Sequence, residues 1–391
     1  MAVVDGTCDP RFAGVRDGFE ANFAERGEVG ASVCVTLGGE TVVDLWGGVA
    51  DPASGRPWEK DTLALVWSCT KGAVALCAHL LADRGELDLD APVASYWPEF
   101  AAAGKEAVTV RQLLTHQAGL AALDDPIPDG ALADWELVVH RLADQAPQWV
   151  PGTTHGYHAL TFGHLAGEVI RRISGRSVGG YLQDEICRPL GLDLWIGLPA
   201  EEVGRVATNL PAEPVPDVPL PRFYEAALTD PTSIAHKVMM NSGGFLFPGA
   251  TNDPAVWTAE IPSANGIGNA RSLAGLYRPL ALDGDGLVGA AQVELMAAEA
   301  SSVEEDATML VPTRWTVGFM KAIDNRHLPP GNQDSVLIPE TAFGFLGSGG
   351  SLGFADPARR LSFAYVMNRQ GATTGLDERG QSLVDAAVAA A

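Results

Sequence analysis

The sequence predicts an α+β fold, in which one antiparallel sheet is built from both chain ends and flanked by helices, with a mainly helical domain inserted between them. Three observations carry this expectation. Paired strand patterns fall at both ends: 31–37 and 41–46 joined by Gly38-Gly39, and 351–355 and 361–367 joined by Asp356-Pro357-Ala358-Arg359. Helical periodicity dominates the middle of the chain. The 391 residues, 47% hydrophobic and 19% charged, can bury a core large enough for one big or two interlocked domains. The simplest arrangement joins the terminal strands in one sheet. The expected division is a discontinuous sheet domain, 1–62 with 300–391, around a helical domain, 63–299.

The elements follow in order. Residues 11–26 set Phe12, Val15, Phe19 and Phe23 on one helical stripe. After the first hairpin, 47–58 reads as loop, with turn signals at Asp51-Pro52 and Ser54-Gly55. A helix then opens at Ser68. No residue from Ala73 to Ala82 is charged, His79 is the one strongly polar interruption, and Asp83, Arg84 and Gly85 end the run. Residues 87–100 are turn-rich, 110–116 form a short helix ending near Gly119, and 134–146 a helix stopped by Pro147. Past His155-Gly156-Tyr157-His158, a helix buries Leu160, Leu165, Val169 and Ile173 and stops at Gly175. Residues 177–190 are helical again. The prolines of 210–221 mark either a linker or the wall of a site. A helix at 269–282, a strand at 314–319 and a final helix at 376–390 complete the chain.

Composition excludes several functions. A formal net charge of −23 argues against nucleic acid and anionic membranes as partners. The five cysteines, Cys8, Cys34, Cys69, Cys77 and Cys187, have no zinc spacing and read as small buried thiols. Met1 to Asp5 carry neither the basic nor the apolar region of a signal peptide, and no run is long enough to span a membrane. The expected location is cytoplasmic. Neither a phosphate loop nor a dinucleotide fingerprint is present, so no cofactor is expected.

The chemistry concentrates in Trp67-Ser68-Cys69-Thr70-Lys71-Gly72. Helical spacing puts Ser68 and Lys71 on one face, where the amine can take the hydroxyl proton. Burial lowers a lysine pKa, and moving it from about 10.4 to about 7 costs roughly 4–5 kcal/mol, which the surroundings must enforce. The helix N-terminus opposes charge on Lys71 and leaves the Ser68 N–H free to face an oxyanion. Of the five lysines, only Lys71 has a serine three residues before it. Cys69 is turned about 100° away from that face. A bland reading, Ser68 as helix cap and Lys71 as ordinary first-turn residue, fits a surface helix better than this apolar one.

Gly349-Gly350-Ser351-Leu352-Gly353 matches the Gly-x-Ser-x-Gly elbow, a rival nucleophile. A strand follows it where a helix is needed, and no histidine lies downstream, since the last is His327. The stretch Gly347 to Gly350 reads instead as backbone that approaches a ligand, since its glycines leave that space open. Tyr157, in a glycine-rich turn before a helix, reads on its own as a buried hydrogen-bond donor. His116, His155, His158 and His164 lack metal-motif spacing and read as solvated or capping, so no metal is expected.

Taken together and in this order, Trp67-Ser68-Cys69-Thr70-Lys71-Gly72, Leu113-Leu114-Thr115-His116-Gln117-Ala118-Gly119-Leu120, Gly156-Tyr157-His158-Ala159-Leu160 and 347–367 resemble the serine β-lactamase/penicillin-binding-protein superfamily. The resemblance is to its class C β-lactamase-like esterases, the family VIII carboxylesterases. It implies the β-lactamase/transpeptidase-like two-domain fold, Ser68 as nucleophile, and Lys71 with Tyr157 as the pair that activates it. Two departures stand out. Ala159 occupies the last place of a motif that is Tyr-x-Asn or Tyr-x-Ser in many relatives. The third motif falls at Phe345-Leu346-Gly347, where β-lactamases carry Lys-Thr-Gly. That register makes the Ser348 N–H the second oxyanion donor beside Ser68, and a two-residue shift would give the role to Gly350. It also puts Phe345, Gly347 and Gly349 in the substrate pocket. The expected activity is hydrolysis of small-molecule carboxylic esters with small or medium acyl chains. The alternatives are an amide or β-lactam hydrolase, an acyltransferase, or a catalytically silent binding protein.

Overall fold

A computed structural model describes residues 3–213 and 219–391. The N-terminal end supplies β1 (Val4–Cys8), β2 (Gly30–Leu37), β3 (Glu40–Asp51) and the short β4 (Arg56–Pro57). The middle supplies β5 (Ala64–Trp67), β6 (Leu194–Trp195) and β7 (Gly266–Gly268), a small sheet in the order β5-β7-β6. Next come β8 (Ser301–Val303), which pairs with β9 (Thr313–Trp315), and then β10 (Phe343–Leu346), β11 (Leu352–Asp356) and β12 (Leu361–Met367). The main sheet runs β1-β3-β2-β12-β11-β10, with β4 on β3, and its pairings are antiparallel. The two chain ends meet where β2 pairs with β12, from Leu37↔Leu361 to Ala31↔Met367.

Both faces of this sheet are covered, which explains why β12 is buried along its whole length and β2 up to Leu37. Successive side chains alternate between faces. Val33, Val35, Phe363 and Tyr365 pack with Val15 and Phe19 of α1 (Ala13–Glu25) and with Leu383 and Val384 of the C-terminal helix Glu378–Ala390. Cys34, Ala364 and Val366 face the other way, against Leu273 and Ala274 of the helix Ala270–Tyr277. The Ser362 hydroxyl donates to Ala274 O at 2.9 Å, and the Ala270 N–H donates to Ser32 Oγ at 3.3 Å. Below this layer lies α2 (Cys69–Asp83), buried from Cys69 to Leu81. Against it packs α5 (Phe162–Ser174), ended by Gly175 at φ +69°, and against α5 pack α3 (Val110–Leu114), capped by Thr109 and Gln112, and α4 (Trp135–Asp144), capped by Asp134.

Several elements differ from the sequence expectation. Residues 47–51 extend β3 and are not loop. Gly47 and Gly48 are there because neighbouring backbone crowds them: a Cβ would stand 2.7 Å from Val3 O at Gly47 and 2.0 Å from Val29 O at Gly48. β1 was not expected, because its sequence lacks an apolar alternation. The strand at 314–319 stops at Trp315, and Gly318, at φ +94°, turns the chain away. Of the proline-rich segment, 214–218 lie outside the described residues, as do Met1 and Ala2 at the N-terminus. On its near side, Leu210 bridges to the end of β12, its N–H donating to Asn368 O at 2.7 Å. On its far side begins the helix Arg222–Thr229.

Candidate active site

Ser68 stands at the corner between β5 and α2. The residue before it, Trp67, takes φ +50°, a left-handed conformation that costs of order 1–3 kcal/mol for a bulky side chain. Thr70 holds this bend: its hydroxyl donates to Trp67 O and accepts the Gly266 N–H at 2.8 Å. Gly72 lets the helix lie against Tyr277, since a Cβ there would stand 2.3 Å from the tyrosine oxygen. The corner thus turns the Ser68 hydroxyl toward Lys71 and away from the α2 packing.

Lys71 is 0% exposed. Its Nζ lies 3.1 Å from Ser68 Oγ and donates to Ala159 O at 2.8 Å and Ser263 O at 2.7 Å. Among the described residues no carboxylate pairs with it. Burial pushes its pKa well below the ordinary lysine value. A neutral amine has two N–H bonds, which the two carbonyls take up. Its lone pair then points along the remaining direction, at the Ser68 hydroxyl.

Tyr157 Oη donates to the same Ser68 Oγ at 2.7 Å. Burial raises the phenol pKa, so the group keeps its proton. The ring stacks on Trp315 at 5.3 Å and lies 4.8 Å from Lys71 Nζ. Its loop is fastened by Asp306, which the sequence did not single out. This fully buried carboxylate accepts the N–H groups of Tyr157 (2.9 and 3.1 Å), Thr308 (2.8 Å) and Met309 (2.9 Å) and the Thr313 hydroxyl (2.9 Å).

The four histidines of this region are buried, not solvated. His158 accepts the Leu120 N–H at 3.1 Å, His116 Nδ1 accepts the His158 N–H at 3.1 Å, and His155 bridges the hydroxyls of Ser301 and Thr313. These three tie the Tyr157 loop to its neighbours, while the His164 ring lies against Trp135, 5.1 Å between centroids. Burial pushes the His158 pKa down to about 3, so it stays neutral. Among the described residues no group of three or more His, Cys, Asp or Glu side chains is placed to hold a metal ion.

The third-motif loop lies opposite. Gly347 has no room for a Cβ, which would meet Ser351 Oγ at 2.1 Å and Val66 O at 2.5 Å. This contact brings the loop against the strand that carries the nucleophile corner. The Gly350 N–H is already donated to Gly347 O at 3.0 Å. Ser348 opens the short turn, and its N–H is given to no protein acceptor among the described residues. Ser351 is buried, its hydroxyl donates to Val66 O at 3.0 Å, and β11 follows it directly. Cys69 is likewise buried, with burial pushing its thiol up to about 12 and its S–H given to Phe345 O.

A cavity of about 240 Å³ opens at Ser68. Ser68, Tyr157, Ala159, Gly347 and Ser348 line it, with an otherwise largely apolar wall from Phe223, Val238 and Leu246 among others. Two expected pocket residues do not line it. Phe345 is 1% exposed, with its ring 5.8 Å from Trp315 and 5.8 Å from Lys71 Nζ, behind the site. Gly349, at φ +77°, leaves space for Gln370, whose Cβ would lie 2.6 Å from an added Cβ. Its conformation serves the loop and not a ligand. Sequence reasoning also missed Ser263, whose carbonyl holds Lys71. Nothing local in 262–266 marks it, because the role belongs to backbone. Ala159 contributes its carbonyl in the same way, so the side chain that many relatives carry there is not needed to hold the lysine.

The chain belongs to the beta-lactamase family, whose model matches residues 16–387. It is 36% identical over 377 residues to the esterase/beta-lactamase LipL of Mycobacterium tuberculosis, covering 94% of this chain and 83% of that one. Two solved structures match over 100% of both chains at 40% identity: a penicillin-binding protein homologue from Caulobacter crescentus, with TM-score 0.86, and a family VIII carboxylesterase, with TM-score 0.83. The fold is therefore the β-lactamase/transpeptidase-like one. Among the described residues no helix is long and apolar enough to cross a membrane.

Proposed function

We propose that the protein is a serine hydrolase that cleaves carboxylic esters of small or medium acyl chains through an acyl-enzyme on Ser68. The observation that carries this is the position of Ser68 Oγ, 3.1 Å from a desolvated Lys71 amine and 2.7 Å from the Tyr157 phenol. Ser68 Oγ attacks the ester carbonyl and its proton passes to Lys71 Nζ. The N–H groups of Ser68 and Ser348 receive the oxyanion, Ser348 being preferred to Gly350 because its N–H is uncommitted. As the carbon–oxygen bond to the alcohol breaks, a proton reaches the leaving oxygen from Tyr157, which Lys71 reprotonates. Water then attacks the acyl carbon by the same route in reverse. The opposite pKa directions support this division, with Lys71 ready to accept and Tyr157 ready to donate. No step calls on a metal or an organic cofactor.

The esterase and carboxylesterase names of the relatives at 36% and 40% identity support an ester substrate. So does the cavity, whose lining includes no lysine or arginine to receive the carboxylate of a β-lactam. The division into 1–62 with 300–391 and 63–299 is retained as part of this proposal. Its seam falls at the cavity, since Ser68 and Tyr157 come from one part and Gly347 and Ser348 from the other. The test is a panel of 4-nitrophenyl esters of rising chain length beside a chromogenic cephalosporin. Turnover of the short and medium esters with little of the cephalosporin is expected. The reverse order would overturn the ester reading.

A further inference from the structure

Two backbone carbonyls hold Lys71, and one side chain fixes where both of them lie. Ser263 is 0% exposed. Its carbonyl accepts from Lys71 Nζ at 2.7 Å, while its hydroxyl donates to Leu160 O at 2.8 Å and accepts the Gly163 N–H at 2.7 Å. Leu160 is the chain neighbour of Ala159, whose carbonyl is the second acceptor of Nζ, at 2.8 Å. The Ser263 hydroxyl therefore ties together the two chain segments that grip the amine.

Gly163 is the second residue of α5. A helix continued toward its N-terminus would give the Gly163 N–H to the carbonyl four residues back, which is Ala159 O. Ser263 Oγ takes that N–H instead. Ala159 O then receives Nζ and no backbone N–H among the described residues. The close approach needs a glycine, since a Cβ at Gly163 would stand 2.3 Å from Pro262 C and 2.4 Å from Ser263 N. The turn that presents Ser263 is fixed from two further sides. The Asn265 side chain accepts the Ile261 N–H across it at 2.9 Å, and the Gly266 N–H goes to Thr70 at 2.8 Å, beside the Ser68 corner. For the chemistry, what matters is rotation about the Cε–Nζ bond. With both N–H groups held, the lone pair of neutral Lys71 points at Ser68 Oγ. With either carbonyl displaced, that direction is no longer fixed.

We propose that Ser263 is a positioning residue, whose hydroxyl keeps the Ala159 and Ser263 carbonyls where they aim Lys71 at Ser68. This rests on the reading of Ser68 as nucleophile and Lys71 as its base. The test is the second-order rate at which a fluorophosphonate labels Ser68. In that step the Ser68 Oγ–P bond forms, fluoride leaves, and the Ser68 proton passes to Lys71. The rate is measured in the unaltered protein, Ser263→Ala, Lys71→Met and the double variant. Ser263→Ala alone should slow labelling by about tenfold to a hundredfold, the cost of a misaimed base. In the Lys71→Met background the same change should alter the rate by less than about twofold, because no amine is left to aim. An equal loss in both backgrounds would make Ser263 a merely structural residue and overturn the proposal. So would an undiminished rate in Ser263→Ala. Ser263→Cys, close in shape but a weak donor and acceptor, is taken through the same cycle, so that poor folding of the alanine variant leaves the answer readable. Its loss should likewise appear only where Lys71 is present. An unaltered protein that is not labelled at Ser68 would remove the nucleophile reading itself, a result distinct from background-independent losses in a labelled one.

Discussion

Replacing Lys71 by Met probes the division of labour between the two groups on Ser68. The change keeps an unbranched side chain but removes the nitrogen that lies 3.1 Å from Ser68 Oγ. A positioned general base contributes about 10²–10⁴ in rate, or about 3–5 kcal/mol of barrier, and Lys71→Met should lose an amount in that range. Tyr157→Phe removes the 2.7 Å hydrogen bond and should lose a comparable amount. Both serve one proton, so the double variant should fall within about tenfold of the worse single one, far short of the product of the two. The pH dependence carries the sign. Burial lowers the Lys71 pKa, and only the neutral amine can accept the proton. Activity should therefore rise with pH through the lysine's lowered pKa and level off well below its ordinary value. Tyr157, whose pKa is raised, should keep its proton across that plateau. The assay is steady-state kcat/KM on 4-nitrophenyl butyrate from pH 5 to 10, with circular dichroism to show that the variants are folded. A rising limb that persists unchanged in Lys71→Met, or fully multiplicative losses, would refute the shared-proton account.

Three further outcomes follow from the same geometry. Ser351→Ala loses a buried hydrogen bond to Val66 O and should cost about 1 kcal/mol in urea unfolding while still forming an acyl-enzyme; an inactive variant would revive the elbow serine as nucleophile. Asp306→Ala strips four buried donors of their acceptor and should lose about 4 kcal/mol of stability, at the low end of about 1–3 kcal/mol for each orphaned group, along with most of kcat; a loss under 1 kcal/mol would contradict its role in fastening the Tyr157 loop. Penicillins should be turned over at least a thousandfold less efficiently than the best ester, because their carboxylate would enter a cavity lined by no lysine or arginine and by Asp334; comparable kcat/KM values would show that the cavity has been misread.

Legibility in the sequence tracked whether a feature is local. The α2 motif was readable because Ser68, Lys71 and Gly72 sit within two helical turns and the run behind them is uncharged. The terminal strands were readable because β2, β11 and β12 are bounded by turn residues and buried on both faces. Features assembled from distant backbone were not. Ser263 O and Ala159 O reach Lys71 from 192 and 88 residues away, and a carbonyl leaves no mark in residue type. Asp306 looks like any loop aspartate until its four donors are seen around it. The glycines misled in two directions. Gly47-Gly48 read as loop but permit strands to pack closely, and Gly349 read as ligand approach but makes room for Gln370. Motif register puts Phe345 in the pocket, whereas it is Gly347 and Ser348 that reach the cavity.

The central claim is that Ser68 becomes acylated. Its most direct test is intact-mass spectrometry of the protein quenched during turnover of a slowly released ester, or after reaction with a fluorophosphonate, followed by peptide mapping. One acyl or phosphonyl adduct on the peptide containing Ser68, absent in Ser68→Ala, is the predicted result. An adduct on Ser351 or elsewhere, or ester turnover that survives in Ser68→Ala, would contradict the account.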